Sequence, residues 1–362
     1  MDRTAPELTI TQVRDGVAYA GEIAPLVTFS DVNFDPDQVE ITLTAANKGT
    51  VTPDGELLSH KEGGQFLFHN FPMEKEQDDV YTLSAKVTDA AGNTTESTVK
   101  FSVNRFGSTY ELDPTVQALN GSYVQTPVDI VITETNVDAL NTVQITLFKN
   151  NETIILQKGK DFTVEEVSGE DSWCRYTYTI FAENFTDDGV YRVSVRSEDK
   201  AGNVSENFLD TKDASLSFGV DKTKPTVVVQ NLESGSTYAV ETLDVLFSAS
   251  DNLLLDSVAV YLDDMTTPIK TWNAEEIAQL LADRADFTFS VPGDTTEAHT
   301  AKFICRDAAG NETEVEVTNF YVTTNILVRY WNNKGLFFGS MGGILATAAA
   351  VIALLAKKKK KA

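Results

Sequence analysis

The chain has 362 residues, enough for two or three domains with cores of their own. Threonine, valine and aromatic residues fall in short runs punctuated by Gly, Asn and Asp, which points to an all-β chain. A formal net charge of −25 repels phosphate and so excludes nucleic acid as a partner, while it favours metal cations or basic partners.

From the N-terminus, Asp2-Arg-Thr-Ala-Pro6-Glu-Leu-Thr-Ile10 predicts an edge strand, where the missing N–H of proline does no harm. Gly16 and Tyr19 mark a turn, and the next strand closes in an acidic loop at Phe29-Ser30-Asp31. Val39, Ile41 and Leu43 alternate in a third strand, a period of two that implies one buried face. Asp79-Val80-Tyr81-Thr82-Leu83 then leads into Asp89-Ala-Ala-Gly92-Asn93-Thr-Thr-Glu96, a glycine-bearing hairpin turn between two alternating runs.

The same order returns twice. The second copy has Val143, Ile145 and Leu147, then Asp188-Gly189-Val190-Tyr191-Arg192-Val193, then Asp199-Lys-Ala-Gly202-Asn203-Val-Ser-Glu206. Its opening, Glu111-Leu-Asp113-Pro114-Thr115, echoes the first copy only loosely. The third runs from Asp221-Lys-Thr-Lys-Pro225 through Gly235, Tyr238, Asp251 and the alternating Val258, Val260 and Leu262 to Asp307-Ala-Ala-Gly310-Asn311-Glu-Thr-Glu314. A period of about 110 residues is too long for a solenoid and fits one whole domain per copy.

Tyr81 and Tyr191 stand where immunoglobulin sandwiches carry a tyrosine corner. The position two residues on, a disulfide cysteine in antibody domains, is Leu83 or Val193, so these cores rest on apolar burial. His299 takes the tyrosine's place in the third copy and reads as a corner residue. Asn273 to Arg284 offers an N-cap residue, first-turn acids and apolar residues spaced for one face, predicting a short helix that caps the third sandwich. Cys174 and Cys305 fall in separate domains, which argues against a disulfide between them. Six Asn-X-Ser/Thr sequons, at Asn93, Asn120, Asn151, Asn184, Asn203 and Asn311, read as turn chemistry.

The C-terminus differs in kind. Gly335 to Ala356 carries no charged side chain, and at 1.5 Å per residue about 22 positions span a bilayer core of about 30 Å. Tyr330 and Trp331 precede it as an aromatic belt would, and Lys357 to Lys361 follow, which places them in the cytoplasm and residues 1–334 outside. Gly335, Gly339 and Gly343 form a stripe on which two such helices can pack. Met1 to Pro6 is unlike a signal peptide, at odds with that topology, so the chain is expected to be a fragment of a longer protein. The reading is therefore all-β: three tandem immunoglobulin-like β-sandwiches over 1–104, 105–220 and 221–323. A linker at 324–334, a single transmembrane helix at 335–356 and a polylysine tail at 357–362 complete it.

No catalytic constellation stands out, so no enzyme is expected: His60, His69 and His299 lack metal-ligand spacing, and neither cysteine has a histidine close in sequence. In a sandwich of this topology the domain start, the loop after the second long strand and the last hairpin turn meet at one pole. That brings Asp2, Asp31 and Asp89 together in the first copy, and Asp221, Asp251 and Asp307 in the third. The first reading is that each Asp caps its own turn, with Gly92 or Gly310 supplying positive φ. The second is that these hard oxygen ligands hold Ca²⁺. The second copy offers Glu134 and Asp199 but no clear opening acid.

The phrases opening at Asp2 and Asp221 and closing at Asp89, Asp199 and Asp307 resemble those of bacterial Ig-like domains in surface proteins, over roughly residues 2–322. The tail is similar to a sortase-processed anchor, but no Leu-Pro-X-Thr-Gly precedes it, so the helix is expected to be retained. The resemblance implies a stalk of tandem domains on a bacterial membrane, with a spacer or adhesion role and an unknown extracellular protein or glycan as partner. The alternatives are a module binding a glycan or host protein, with Trp173 and Trp272 as candidate contacts, and the accessory end of a larger surface enzyme.

Overall fold

The structure, a computed structural model, describes residues 2–69, 71, 73–167, 173–208, 214–293 and 296–359. The first sandwich is built from β1 (Glu7–Thr11), β2 (Val17–Tyr19), β3 (Leu26–Ser30), β4 (Val39–Ala45), β5 (Gly49–Val51), β6 (Gly55–His60), β7 (Gly63–Phe68), β8 (Asp79–Thr88) and β9 (Thr94–Val103). One sheet has the order β1-β3-β7-β6 and the other β2-β9-β8-β4-β5. Alternation decides what lies between them: in β8, Tyr81, Leu83, Ala85 and Val87 are all fully buried while the residues between them face outward. β2 runs parallel to β9, with Val17 opposite Phe101.

The second sandwich repeats the plan. Thr109–Leu112, Ile130–Asn136, Cys174–Ile180 and Phe162–Val167 form one sheet; Tyr123–Val124, Leu216–Val220, Gly189–Asp199, Leu140–Lys149 and Glu152–Ile155 lie in the other. The third pairs a sheet of Thr226–Val229, Thr242–Ser250 and Phe287–Pro292 with one of Thr237–Tyr238, Glu312–Val322, His299–Asp307, Leu255–Leu262 and Lys270–Trp272. Each sandwich has its own apolar core. The first two form one compact unit, residues 1–220, and the third with the C-terminal helices forms another, residues 221–362. The connection between the first two sandwiches is short, because a strand begins at Thr109.

Both tyrosine corners are present: the Tyr81 hydroxyl donates to the Gln77 carbonyl and the Tyr191 hydroxyl to that of Asp187, each at 2.7 Å. Each ring stacks on the phenylalanine opposite it, Phe101 or Phe218, with centroids 5.9 Å apart. The His299 ring lies tilted against Phe320, with centroids 5.6 Å apart, and its Nδ1 lies 2.8 Å from Asp263 Oδ2. Cys174 and Cys305 are free thiols, buried in separate cores.

The predicted helix spans Ala274–Ala282, with Asn273 and Glu276 closing a reciprocal capping box and Ile277 buried against the third sandwich. Asn273 Oδ1 accepts from the N–H groups of Glu275 and Glu276. Asn273→Ala leaves those donors to water, and the third sandwich is expected to lose about 1 kcal/mol, read as a lower urea midpoint with unchanged slope. Trp272 is 7% exposed and packs on Phe247 and Phe287, so it belongs to the core and offers no glycan-binding face.

Helices Ile326–Asn332 and Lys334–Lys359 end the chain. The side chains of residues 351–359 and the whole of 360–362 lie outside the described residues, so the expected anchor at 335–356 and the tail at 357–362 fall partly there. Among the described residues, no helix is long and apolar enough to cross a membrane.

Candidate functional site

The pole of each sandwich follows from the turn phrase. In the first copy the N–H groups of Ala91 and Asn93 donate to Asp89 Oδ1, and the Asn93 amide donates to Oδ2 at 2.8 Å. Gly92 completes the turn at φ 89°, a backbone state that a side chain disfavours. Asp199 and Asp307 bind Asn203 and Asn311 in the same way, with Gly202 at φ 88° and Gly310 at φ 83°. The asparagine also fastens the incoming chain: Asn203 Nδ2 donates to the Asn104 carbonyl, and Asn311 Nδ2 to that of Asp221. The turn thus grips the residue at which its own domain begins.

Two clusters result. Asp2, Asp31 and Asp89 offer carboxylate oxygens within 4.8 Å of one another, and so do Asp221, Asp251 and Asp307. Ligands at Ca²⁺–oxygen distances of about 2.3–2.6 Å are separated by at most about 5 Å, so the spacing fits one shared cation. Local capping is present too. Asp2 Oδ1 accepts from the Thr4 N–H, Asp31 Oδ1 from that of Asn33 and Asp221 Oδ1 from that of Thr223. Asp251 Oδ2 takes the N–H groups of Leu253 and Leu254, while its Oδ1 is buried with no hydrogen-bond donor. An oxygen so placed suits a metal ligand better than it suits a turn cap.

Hydrogen bonds favour the carboxylate form of two members of the first cluster. The Thr4 N–H and the Asn33 amide hold the Asp2 carboxyl below the usual range, and the Asn93 side chain does the same for Asp89. Three carboxylates this close repel one another, and bound Ca²⁺ would remove that repulsion.

In the second sandwich the register identifies the corresponding residues. Thr109 pairs with Thr135 as Glu7 pairs with Ser30 and Thr226 with Ser250. Counting from those pairs, Asn104 stands where Asp2 and Asp221 stand, and Asn136 where Asp31 and Asp251 stand. The loose echo at Glu111 to Thr115 is therefore not the domain opening; Asp113 caps the short helix Pro114–Gln117. Glu134 does not join the pole either. It points into the sandwich, fully buried.

Residues 20–105 match the family described as the bacterial Ig-like domain. The first repeat is a bacterial Ig-like domain. Among solved structures, the chain is similar to the tetra-tandem repeat in the extending region of a large adhesion protein, at 18% identity and TM-score 0.34, covering 87% of this chain and 74% of that one. A 1.5-MDa bacterial ice-binding adhesin gives 16% identity and TM-score 0.27 over 89% of this chain and 99% of that one. The ICAM-5 D1–D4 ectodomain fragment gives 10% and 0.45 over 88% and 78%. At such scores the likeness says nothing of function. No curated protein matches the chain.

The first two Ig-like sandwiches also meet through contacts not legible in the sequence. Asp138, in the second, accepts from Ser102 Oγ of the first at 2.5 Å. Trp173 Nε1 donates to Asp79 Oδ1 at 3.0 Å, and Lys200 Nζ to the Gly16 carbonyl at 2.6 Å. Trp173, read as a possible ligand contact, is thus engaged within this joint.

Proposed function

We propose that the chain is a stalk of tandem Ig-like domains on a bacterial surface, acting as a non-enzymatic spacer. One observation carries this reading. The domain start and the Gly92 turn share a pole, and the ten-residue β9 leads from that turn to the opposite pole, where Asn104 begins the next domain. A chain that enters each sandwich at one end and leaves at the other extends by about 30 Å or more per domain, strands rising about 3.4 Å per residue. The family match over residues 20–105 and the bonded joint between the first two sandwiches support the same reading.

The anchor rests on the sequence: an uncharged run from Gly335 to Ala356 followed by lysines, giving a single pass with the domains outside and the lysines in the cytoplasm. Alkaline extraction of membranes from expressing cells tests it. The full chain is expected in the pellet and a chain ending at Asn333 in the supernatant; a full chain released by alkali would end the anchor reading.

We further propose that the Asp2 and Asp221 clusters bind Ca²⁺. Millimolar Ca²⁺ is expected to raise the midpoint of thermal unfolding over that in chelator by on the order of 5 °C. Asp307→Asn is expected to abolish the part belonging to the third domain. Superimposable melts with Ca²⁺ and with chelator would leave local capping as the whole role of these residues.

A further inference from the structure

The second copy has the scaffold of the acidic pole without its acids. Asn104 and Asn136 replace two of the three aspartates, and only Asp199 remains. Asn104 is fully buried, and its Nδ2 lies 2.8 Å from Asn136 Oδ1, 3.0 Å from Asp138 Oδ2 and 2.9 Å from Asp199 Oδ2. A single nitrogen thus meets three oxygens from two other segments, as a cation would at an acidic pole. Asn104 Oδ1 accepts from the Gly107 N–H, and Asn136 Nδ2 donates to Ser108 Oγ.

The backbone follows suit. In the outer copies a proline precedes the first strand, and a threonine hydroxyl donates to its carbonyl: Thr95 to Pro6 and Thr313 to Pro225. Here Ser108 stands in the proline's place, and its N–H donates to Ser205 Oγ, which occupies the threonine's position. The group ties the two sandwiches together, because Asp138 also holds Ser102 in β9. Burial raises the Asp138 carboxyl above its usual range, against the pull of Ser102 and Asn104.

We propose that the joint between the first and second sandwiches is locked by the Asn104 amide in the place of a metal ion, and that it holds equally with and without divalent cations. The contrast with the outer poles rests on their reading as Ca²⁺ sites; the lock itself does not.

Hydrogen exchange of the full chain in detergent, read by mass spectrometry over residues 104–110 and 136–140, tests it. In the native protein, exchange there is expected to be the same in Ca²⁺ and in chelator. Asn104→Ala should speed it at least tenfold in both, while peptides from Asp79–Thr88 stay protected and report that the first sandwich is folded. The double variant Asn104→Asp/Asn136→Asp rebuilds the three-acid pole, and should exchange fast in chelator and slowly in Ca²⁺.

Native exchange that accelerates in chelator, or Asn104→Ala exchange equal to native, would overturn the lock. If both of those tests pass and the double variant ignores Ca²⁺, the lock stands and the Ca²⁺ reading of the outer poles falls.

Discussion

Glu134→Ala is expected to destabilise the first unit by more than about 3 kcal/mol, a sizeable share of the roughly 5–15 kcal/mol that keeps a domain folded. Glu134 is fully buried, and four hydroxyls converge on its carboxylate. Ser108 Oγ donates to Oε1 at 2.5 Å, Tyr110 at 3.2 Å and Ser197 at short range, while Tyr178 donates to Oε2 at 2.6 Å. Removing the carboxylate leaves those buried hydroxyls without their acceptor, and each unmatched group costs about 1–3 kcal/mol. Burial, and then the Glu134 charge, raises the Tyr110 and Tyr178 hydroxyls well above the ordinary tyrosine range, so both remain donors wherever the protein is folded. Glu134→Gln keeps the shape and one acceptor oxygen, and hydroxyls can turn to accept from its amide, so its loss should be about 1–2 kcal/mol. Urea unfolding checks both. An alanine variant as stable as the native chain would show that the cluster is not a stabilising network.

Phe247→Ala is expected to cost the third sandwich about 4 kcal/mol. The ring is fully buried, with its centroid 4.9 Å from that of Phe303, 5.2 Å from Phe287, 5.7 Å from Trp272 and 6.3 Å from Phe289. Both sheets thus meet on one side chain, and its loss leaves a cavity that four large rings cannot close without leaving their rotamers. Only the unfolding step of residues 221–362 should move. A loss below about 2 kcal/mol would mean that the core repacks around the gap.

Much of this was legible in the sequence where spacing and chemistry agreed. The glycine of each Asp-X-Ala-Gly-Asn phrase announced a positive φ, and the alternation around it set the strands that place the phrase at a pole. The cluster at Asp221 could be read for the same reason, since each of its acids sits at a fixed distance from a strand. The opening of the second copy is hidden from the sequence because its pole changes chemistry. Once Asn104 and Asn136 replace acids and Ser108 replaces proline, no residue type marks the domain start, and only strand register recovers it. Glu134 was drawn to the wrong place by its charge. It continues the inward series Ile130, Ile132, Glu134, and the hydroxyls that make this tolerable come from strands far apart in sequence.

The parallel pairing of β2 with β9 has a mechanical meaning for a molecule pulled by its ends. Tension entering at Asp2 draws β2 towards the first pole, while tension leaving at Val103 draws β9 towards the other. The two strands are dragged past each other along their length, so the bonds aligning Val17, Ala18 and Tyr19 with Phe101, Ser102 and Val103 are loaded together and must yield as a group. The same short parallel pair recurs between Tyr123–Val124 and Gly219–Val220, and between Thr237–Tyr238 and Tyr321–Val322. Each sandwich therefore meets stretching with a shear clasp rather than a zip.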